Sequence, residues 1–245
     1  MGELKKYGLI GEHLEHSFSK KYFSDKFENE KINAEYVNIS LDGIHEFKKV
    51  LNQDFDGCNV TIPYKKQIIP YLDALSPEAE IVGAVNTIVF ENGKTIGHNT
   101  DVYGFKQLIK PYFKSHHERA MILGTGGAAM AVAYVLENLG VDIIFISRLP
   151  NGEDEFSYRD INKNMIRFNG IIVNTTPVGM YPNIEQEVQI PYEYLTEKNL
   201  VIDLIYNPAE TVFLQQAKKH GAWVLNGLTM LHQQAEKAWE IWNKK

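Results

Sequence analysis

A single cysteine, Cys58, stands in 245 residues, so no internal disulfide can form. The fold must hold by burial and hydrogen bonding, as expected of a reduced, cytoplasmic protein. One cysteine also leaves no Cys-x-x-Cys pair, and His116 and His117 fall in a polar, loop-like stretch; no metal site is expected. No apolar run approaches the ~20 residues that cross a bilayer, and no signal-peptide pattern opens the chain, so no membrane partner is expected. Basic side chains are outnumbered, 25 against 31, for a net charge of −6 with no long basic run. That argues against nucleic acid as a partner. Internal repeats and low-complexity stretches are also lacking.

What is present is ordinary globular material, 44% hydrophobic and 23% charged, enough for one large domain or two small ones. The first hundred residues alternate short strands with helical patterns. "KYGLIG" reads as a strand, and Ser19 as the cap of a helix carrying Tyr22, Phe23 and Phe27 on one face. "AEYVNI" is a second strand and "GIHEFKKVL" has helical spacing. In "GCNVTIP", Val60 and Ile62 alternate with Asn59 and Thr61 as in a half-buried strand that Pro63 ends. "NTIVF" and "KTIGHN" flank Glu91-Asn92-Gly93-Lys94, a hairpin turn signal.

From Asp101 the pattern changes. After a helical stretch, "RAMIL", "VDIIFISR", "GIIVNTT" and "NLVIDLI" are continuous apolar strands separated by helices, the mark of a parallel sheet covered on both faces. In "GLTMLHQQAEKAWEIW", Leu228, Leu231, Ala235, Ala238, Trp239 and Trp242 share a helical stripe. The expected architecture is α/β with two domains. Residues 1–101, completed by a returning C-terminal helix over 228–245, form a substrate-binding domain. Residues 102–227 form a Rossmann-like, doubly wound dinucleotide-binding domain. Either a monomer or a homodimer is compatible with it.

"LGTGGAA" places Gly124, Gly126 and Ala129 in G-x-G-x-x-A spacing between a strand and a helix. Glycine is needed there for the tight turn and for close approach of backbone N–H groups to a pyrophosphate, with Gly127 and Ala128 beside it at the helix start. The following strand ends Ile146-Ser147-Arg148, without the carboxylate that would accept from an NAD ribose; Arg148 suits a 2′-phosphate. NADP is the cofactor expected. In the first half, polar residues gather where strands should end: Ser17, Ser19, Asn59, Thr61, Lys65, Asn86, Asn99, Thr100 and Asp101. Such a set suits a small, polyhydroxylated, anionic ligand.

The ordered motifs "HSFS", "GCNVTIPYK", "GAVNTI", "NTDVYGF", "GTGGAA", "NTTPVGM", "DLIYNPAET" and "NGLTMLHQQA" make the chain resemble the shikimate dehydrogenases over nearly its full length. The resemblance implies NADP-dependent, reversible reduction of 3-dehydroshikimate to shikimate. It implies Lys65 and Asp101 as the catalytic pair, and Ser17 and Ser19 on the substrate carboxylate. Thr61, Asn86 and Asp101 would meet ring hydroxyls, and Gln234 and Tyr206 also belong to the substrate site. Gly124, Gly126, Gly127, Ala128, Ser147, Arg148 and Gly227 are the implied cofactor positions. Helical spacing agrees on Gln234, which borders the apolar stripe while Gln233 points away.

The pattern is departed from in two places. Lys20 replaces the usual proline after the two serines. Ser147-Arg148-Leu149 keeps only the arginine of the family's cofactor motif, and Glu153, Asp154 and Glu155 follow closely. A quinate or shikimate dehydrogenase using NAD therefore stays open, as does a ligand sensor on the same scaffold, although the sensor should have lost Lys65 or Asp101.

Overall fold

The structure is a computed structural model that describes residues 3–15 and 17–244. The chain divides into two compact units, Met1–Thr100 with Ala235–Lys245, and Asp101–Gln234. The second boundary falls inside the last helix.

The first unit is built on β1 (Lys5–Gly11), α1 (Phe18–Asn29), β2 (Ala34–Ser40), α2 (Phe47–Leu51), β3 (Gly57–Val60), β4 (Ala74–Leu75), α3 (Pro77–Val82), β5 (Thr87–Glu91) and β6 (Lys94–His98). The sheet runs β2-β1-β3-β5-β6-β4. β1 is parallel to both β2 and β3, while β5 is antiparallel to β3 and β6. The hairpin turn forms where the sequence places it: Asn92 and Gly93 both take positive φ, 52° and 72°.

Each sheet face has its own core. α2 covers one with Phe47 and Val50 against Ile10, Cys58, Val60 and Ile88. α1 covers the other with Phe23 and Phe27 against Tyr7, Leu9 and Tyr36. Onto that second face the end of the chain returns, in α8 (Leu228–Trp242). Ala235, Ala238 and Trp242 are buried there. Trp242 stacks on Tyr7 at 4.8 Å and donates its indole N–H to the Ile88 carbonyl at 3.0 Å. Lys26 of α1 bonds Glu236 at 3.1 Å.

The second unit runs α4 (Asp101–Ile109), β7 (Arg119–Leu123), α5 (Gly127–Asn138), β8 (Asp142–Ser147), β9 (Glu155–Ser157), α6 (Lys163–Phe168), β10 (Ile171–Asn174), β11 (Leu200–Asp203), α7 (Val212–Lys219) and β12 (Trp223–Leu225), and ends in the first turns of α8. All its strands are parallel, in the order β12-β11-β10-β7-β8-β9. The first strand lies in the middle and the chain reverses its direction of progress between β7 and β10. That is the doubly wound arrangement, whose ligand crevice opens beyond the carboxyl ends at the reversal.

Four local expectations need correction. The helix cap is Ser17, not Ser19: its backbone is extended and its hydroxyl accepts from Lys20 N–H. The "GCNVTIP" strand stops at Val60, all four residues of β3 are buried, and Ile62 is 62% exposed. A strand paired on both sides under helices buries both faces, so the period-2 pattern did not apply. Residues 155–157, where no strand was expected, form the edge strand β9. In α8, Leu228 is exposed and Met230 is buried instead, against Gly104, where an added Cβ would stand 2.6 Å from the Met230 carbonyl.

Candidate active site

In the first unit the polar residues form one hydrogen-bonded group at the ends of β3, β5 and β6. Asn59 lies on the α1 face of β3, opposite Cys58 and Val60, and its amide donates to the Asn86 carbonyl at 3.2 Å and to Thr87 Oγ1 at 3.1 Å. Its Oδ1 accepts from the Tyr36 phenol at 2.8 Å. Asn86 Oδ1 accepts from Thr100 N–H at 2.7 Å, and Asn86 Nδ2 lies 3.0 Å from Thr100 Oγ1. Asn99 donates to the Ala84 carbonyl at 2.9 Å. All of these side chains are buried. Buried polar groups must be paired, and a paired set has one arrangement.

Lys65 follows directly. Thr61 N–H donates to the Ile10 carbonyl, continuing the β1 pairing beyond β3, and the chain then turns through Tyr64 N–H to Thr61 carbonyl at 2.9 Å. The Thr61 methyl lies over Gly11, where a Cβ would come within 2.6 Å of it. Tyr64 is buried with its hydroxyl on the Leu41 carbonyl at 2.6 Å. The Lys65 carbonyl accepts from Val85 N–H at 2.8 Å. The lysine backbone is thus fastened one residue from Asn86. At the start of α1, Ser17 caps the helix and Ser19 sits in the first turn. Burial holds the Tyr36 phenol well above its ordinary value, against a hydrogen bond from Ser19 that pulls the other way. Ser19, Tyr36 and Asn59 therefore connect the helix start to the strand ends. His16 of the "HSFS" motif lies outside the described residues.

The remaining candidates belong to the second unit. Asp101 is buried at the first position of α4, next in the chain to Thr100. The glycine loop leaves β7 at Gly124, whose φ of +107° only glycine adopts readily, and whose missing Cβ leaves room for Thr175 Oγ1 at 2.8 Å. Gly126 is the cap of α5 and brings no side chain to it. A Cβ on Gly126 would meet nothing within 4 Å. Gly126 thus faces open space at the sheet reversal, with Gly127 and Ala128 half-buried beside it and no cap side chain over the positive end of α5. That is the form of a pyrophosphate cradle, and it fits a dinucleotide.

At the end of β8, Ser147 Oγ accepts from Leu149 N–H at 3.2 Å, which turns the chain, and Arg148 is exposed. The Arg148 charge lowers the Tyr158 hydroxyl, though burial raises it more. Of the three nearby carboxylates, Glu155 is engaged by Asn151 N–H at 3.0 Å. Gly227 N–H donates to the Ile205 carbonyl at 3.0 Å, and a Cβ on Gly227 would collide with the Leu204 carbonyl at 1.9 Å. Tyr206 follows that segment, half-buried. Gln234 is buried, with its amide donating to the Leu231 carbonyl at 3.0 Å, while Gln233 is only partly buried.

Ser17, Ser19, Thr61, Lys65 and Asn86 thus lie in one unit, and Asp101, Tyr206, Gln234 and the cofactor positions in the other. Sequence reasoning missed Tyr36, Thr87, Asn174, Thr176 and Asp203. Burial pushes the Asp203 carboxyl up to about 6 despite three hydrogen bonds that lower it. Its signal was a carboxylate ending an otherwise apolar strand, "LVID". Among the described residues no group of three or more His, Cys, Asp or Glu could hold a metal, and no helix is long and apolar enough to cross a membrane.

Residues 9–88 match the shikimate dehydrogenase substrate binding domain. The shikimate dehydrogenase (NADP(+)) of Desulforamulus reducens is 36% identical over 264 residues, covering 98% of this chain and 90% of the relative. That of Methanococcus maripaludis is 39% identical over 260 residues, covering 97% and 91%. Among solved structures, shikimate dehydrogenase 1 of Peptoclostridium difficile superposes with a TM-score of 0.87 at 36% identity, covering 97% of this chain and 91% of that one. The Listeria monocytogenes enzyme, solved with shikimate and NAD, gives 0.87 at 31% identity, covering 100% and 93%. The Thermus thermophilus enzyme, solved with NADP(H) and shikimate, gives 0.85 at 29%, covering 98% and 93%. With the ordered motifs standing at the strand ends and relatives alike over almost their whole length, the chain belongs to the shikimate dehydrogenase family.

Proposed function

We propose that the protein catalyses the NADP-dependent, reversible reduction of 3-dehydroshikimate to shikimate, a step toward the aromatic amino acids. The observation that carries the reading is Lys65, retained just past β3 with its backbone fastened beside Asn86, in a chain that matches its relatives almost end to end. Substrate binding is assigned to the first unit and the dinucleotide to the second.

Lys65 exchanges a proton with the oxygen of the reacting carbon, and Asp101 orients that lysine or shares the transfer. When bound, the nicotinamide supplies the hydride chemistry. Ser17 and Ser19 meet the carboxylate of the substrate, and Thr61, Asn86 and Asp101 its ring hydroxyls, with Gln234 and Tyr206 completing the set. Asn86 suits this because its amide is already fixed by Thr100, so little side-chain freedom is lost when a ligand binds. Gly124, Gly126, Gly127 and Ala128 offer backbone N–H groups to the pyrophosphate. Ser147 and Arg148 meet the adenosine ribose, and Gly227 lets the chain pass close to the nicotinamide ring. Arg148, with no carboxylate in its place, supports NADP over NAD.

The test is absorbance at the reduced-nicotinamide band with shikimate or quinate, each with NADP or NAD, for wild type and Lys65→Ala. Fastest turnover is expected with shikimate and NADP. The lysine variant should lose roughly 10²–10⁴-fold in kcat with shikimate affinity little changed. Near-normal turnover in Lys65→Ala would sink the catalytic assignment. A preference for quinate or NAD would move the error to the pocket or to Arg148.

A further inference from the structure

Asp203 ends β11 with no exposed surface, and three neutral donors converge on its carboxylate. Oδ1 accepts from Ile205 N–H and from Asn174 Nδ2, each at 3.0 Å; Oδ2 accepts from Thr211 Oγ1 at 2.6 Å. Burying a carboxylate is unfavourable unless hydrogen bonds compensate it, and here the compensating donors come from three separate segments.

Each donor leads to a segment at the mouth of the sheet. Asn174, fixed by Asp203, turns its Oδ1 to Thr176, accepting from the backbone N–H at 3.0 Å and the hydroxyl at 2.7 Å. Thr175 in the same turn donates its hydroxyl to the Leu123 carbonyl at 2.7 Å and fills the space beside Gly124. On the other side, Ile205 accepts Gly227 N–H through its carbonyl, and Leu204 is the residue Gly227 passes so closely. Thr211 caps α7.

We infer that Asp203 is the positioning residue of the dinucleotide site: one buried carboxylate that sets both the Asn174–Val178 turn beside the glycine loop and the Leu204–Tyr206 segment beside Gly227. It touches no ligand itself and acts through Asn174 and Ile205. The inference rests on the dehydrogenase reading of this unit. Removing the carboxylate leaves the Ile205 N–H, the Asn174 amide and the Thr211 hydroxyl without their acceptor, and both segments lose their common anchor. The amide of Asp203→Asn, by contrast, can keep Oδ1 on Ile205 and Asn174 and turn its Nδ2 to Thr211 Oγ1, which accepts as readily as it donates.

The experiment is direct titration of the full chain with NADP+ alone and with shikimate alone, read by intrinsic fluorescence, on wild type, Asp203→Ala, Asp203→Asn and Asn174→Ala. Asp203→Ala and Asn174→Ala should bind NADP+ about tenfold more weakly or worse, with shikimate affinity within about twofold of wild type. Asp203→Asn should recover most of the nucleotide affinity. Wild-type NADP+ affinity in a folded Asp203→Ala protein would overturn the inference, as would equal losses for both ligands or an Asn variant as weak as the Ala one. Should Asp203→Ala not fold, Asn174→Ala and Asp203→Asn carry the same comparison. A wild-type chain that fails to bind NADP+ would overturn the dehydrogenase reading as well, and is told apart because no substitution is involved.

Discussion

At the carboxyl end of the first sheet the polar surface is made of side chains: Tyr36, Asn59, Asn86, Thr87 and Thr100 hold one another in a buried set. At the corresponding end of the second sheet, backbone takes over: a glycine with positive φ, a helix start capped by another glycine, and a segment pressed against Gly227. The materials differ because the expected ligands differ. A small ring with hydroxyls at fixed positions is distinguished by side-chain donors and acceptors placed one by one. A pyrophosphate asks for repeated N–H groups and room to approach, which bare backbone supplies. The first solution stabilises the fold as it builds the site. The second, at Gly126, leaves the fold nearly indifferent to its site.

The contrast breaks most visibly at Gly126. Its Cβ would meet no protein atom and its φ of −75° suits any residue. Gly126→Val should therefore lower stability by no more than about 1 kcal/mol, yet weaken NADP+ roughly a hundredfold, about 3 kcal/mol. Paired thermal unfolding and nucleotide titration read the two effects. Asn86→Ala should do the reverse. Losing the Oδ1 that accepts Thr100 N–H should lower stability by about 1–3 kcal/mol and raise the KM for shikimate, with NADP+ affinity held. The smallest effect is expected at exposed Arg148. Arg148→Leu should cut NADP affinity about fivefold, near 1 kcal/mol, leave NAD unchanged and flatten the salt dependence of NADP binding. Equal losses for both cofactors would show that Arg148 does not meet the 2′-phosphate.

The same contrast governs what the sequence could disclose. Backbone devices need glycine at set places, so the Asn92-Gly93 turn and the Gly124–Gly126 loop were legible from residue type. Lys65, Asn86 and Gln234 were legible from ordered motifs. A hydrogen-bonded side chain carries no such mark: Tyr36 in "AEYVNI" reads the same whether its hydroxyl meets Asn59 or water. Asp203 stood unnoticed in a motif used only for Tyr206, because its partner Asn174 is distant in sequence and met only through strand pairing. Ile62 was misplaced by carrying alternation past the end of β3, and β9 was missed because a three-residue edge strand, Glu-Phe-Ser, has no period to detect.

The return of the chain end to its beginning sets an order of assembly. Tyr7, Phe23 and Phe27 leave the ribosome early, long before Ala235, Ala238 and Trp242, which close the core around them. The unit begun first therefore waits for a segment made after the whole of the other unit, against the usual sequence of folding during synthesis. Until that segment emerges the aromatic face lacks part of its cover, and a chain broken off before Ala235 carries every residue of the second unit but not the helical segment that closes the core of the first.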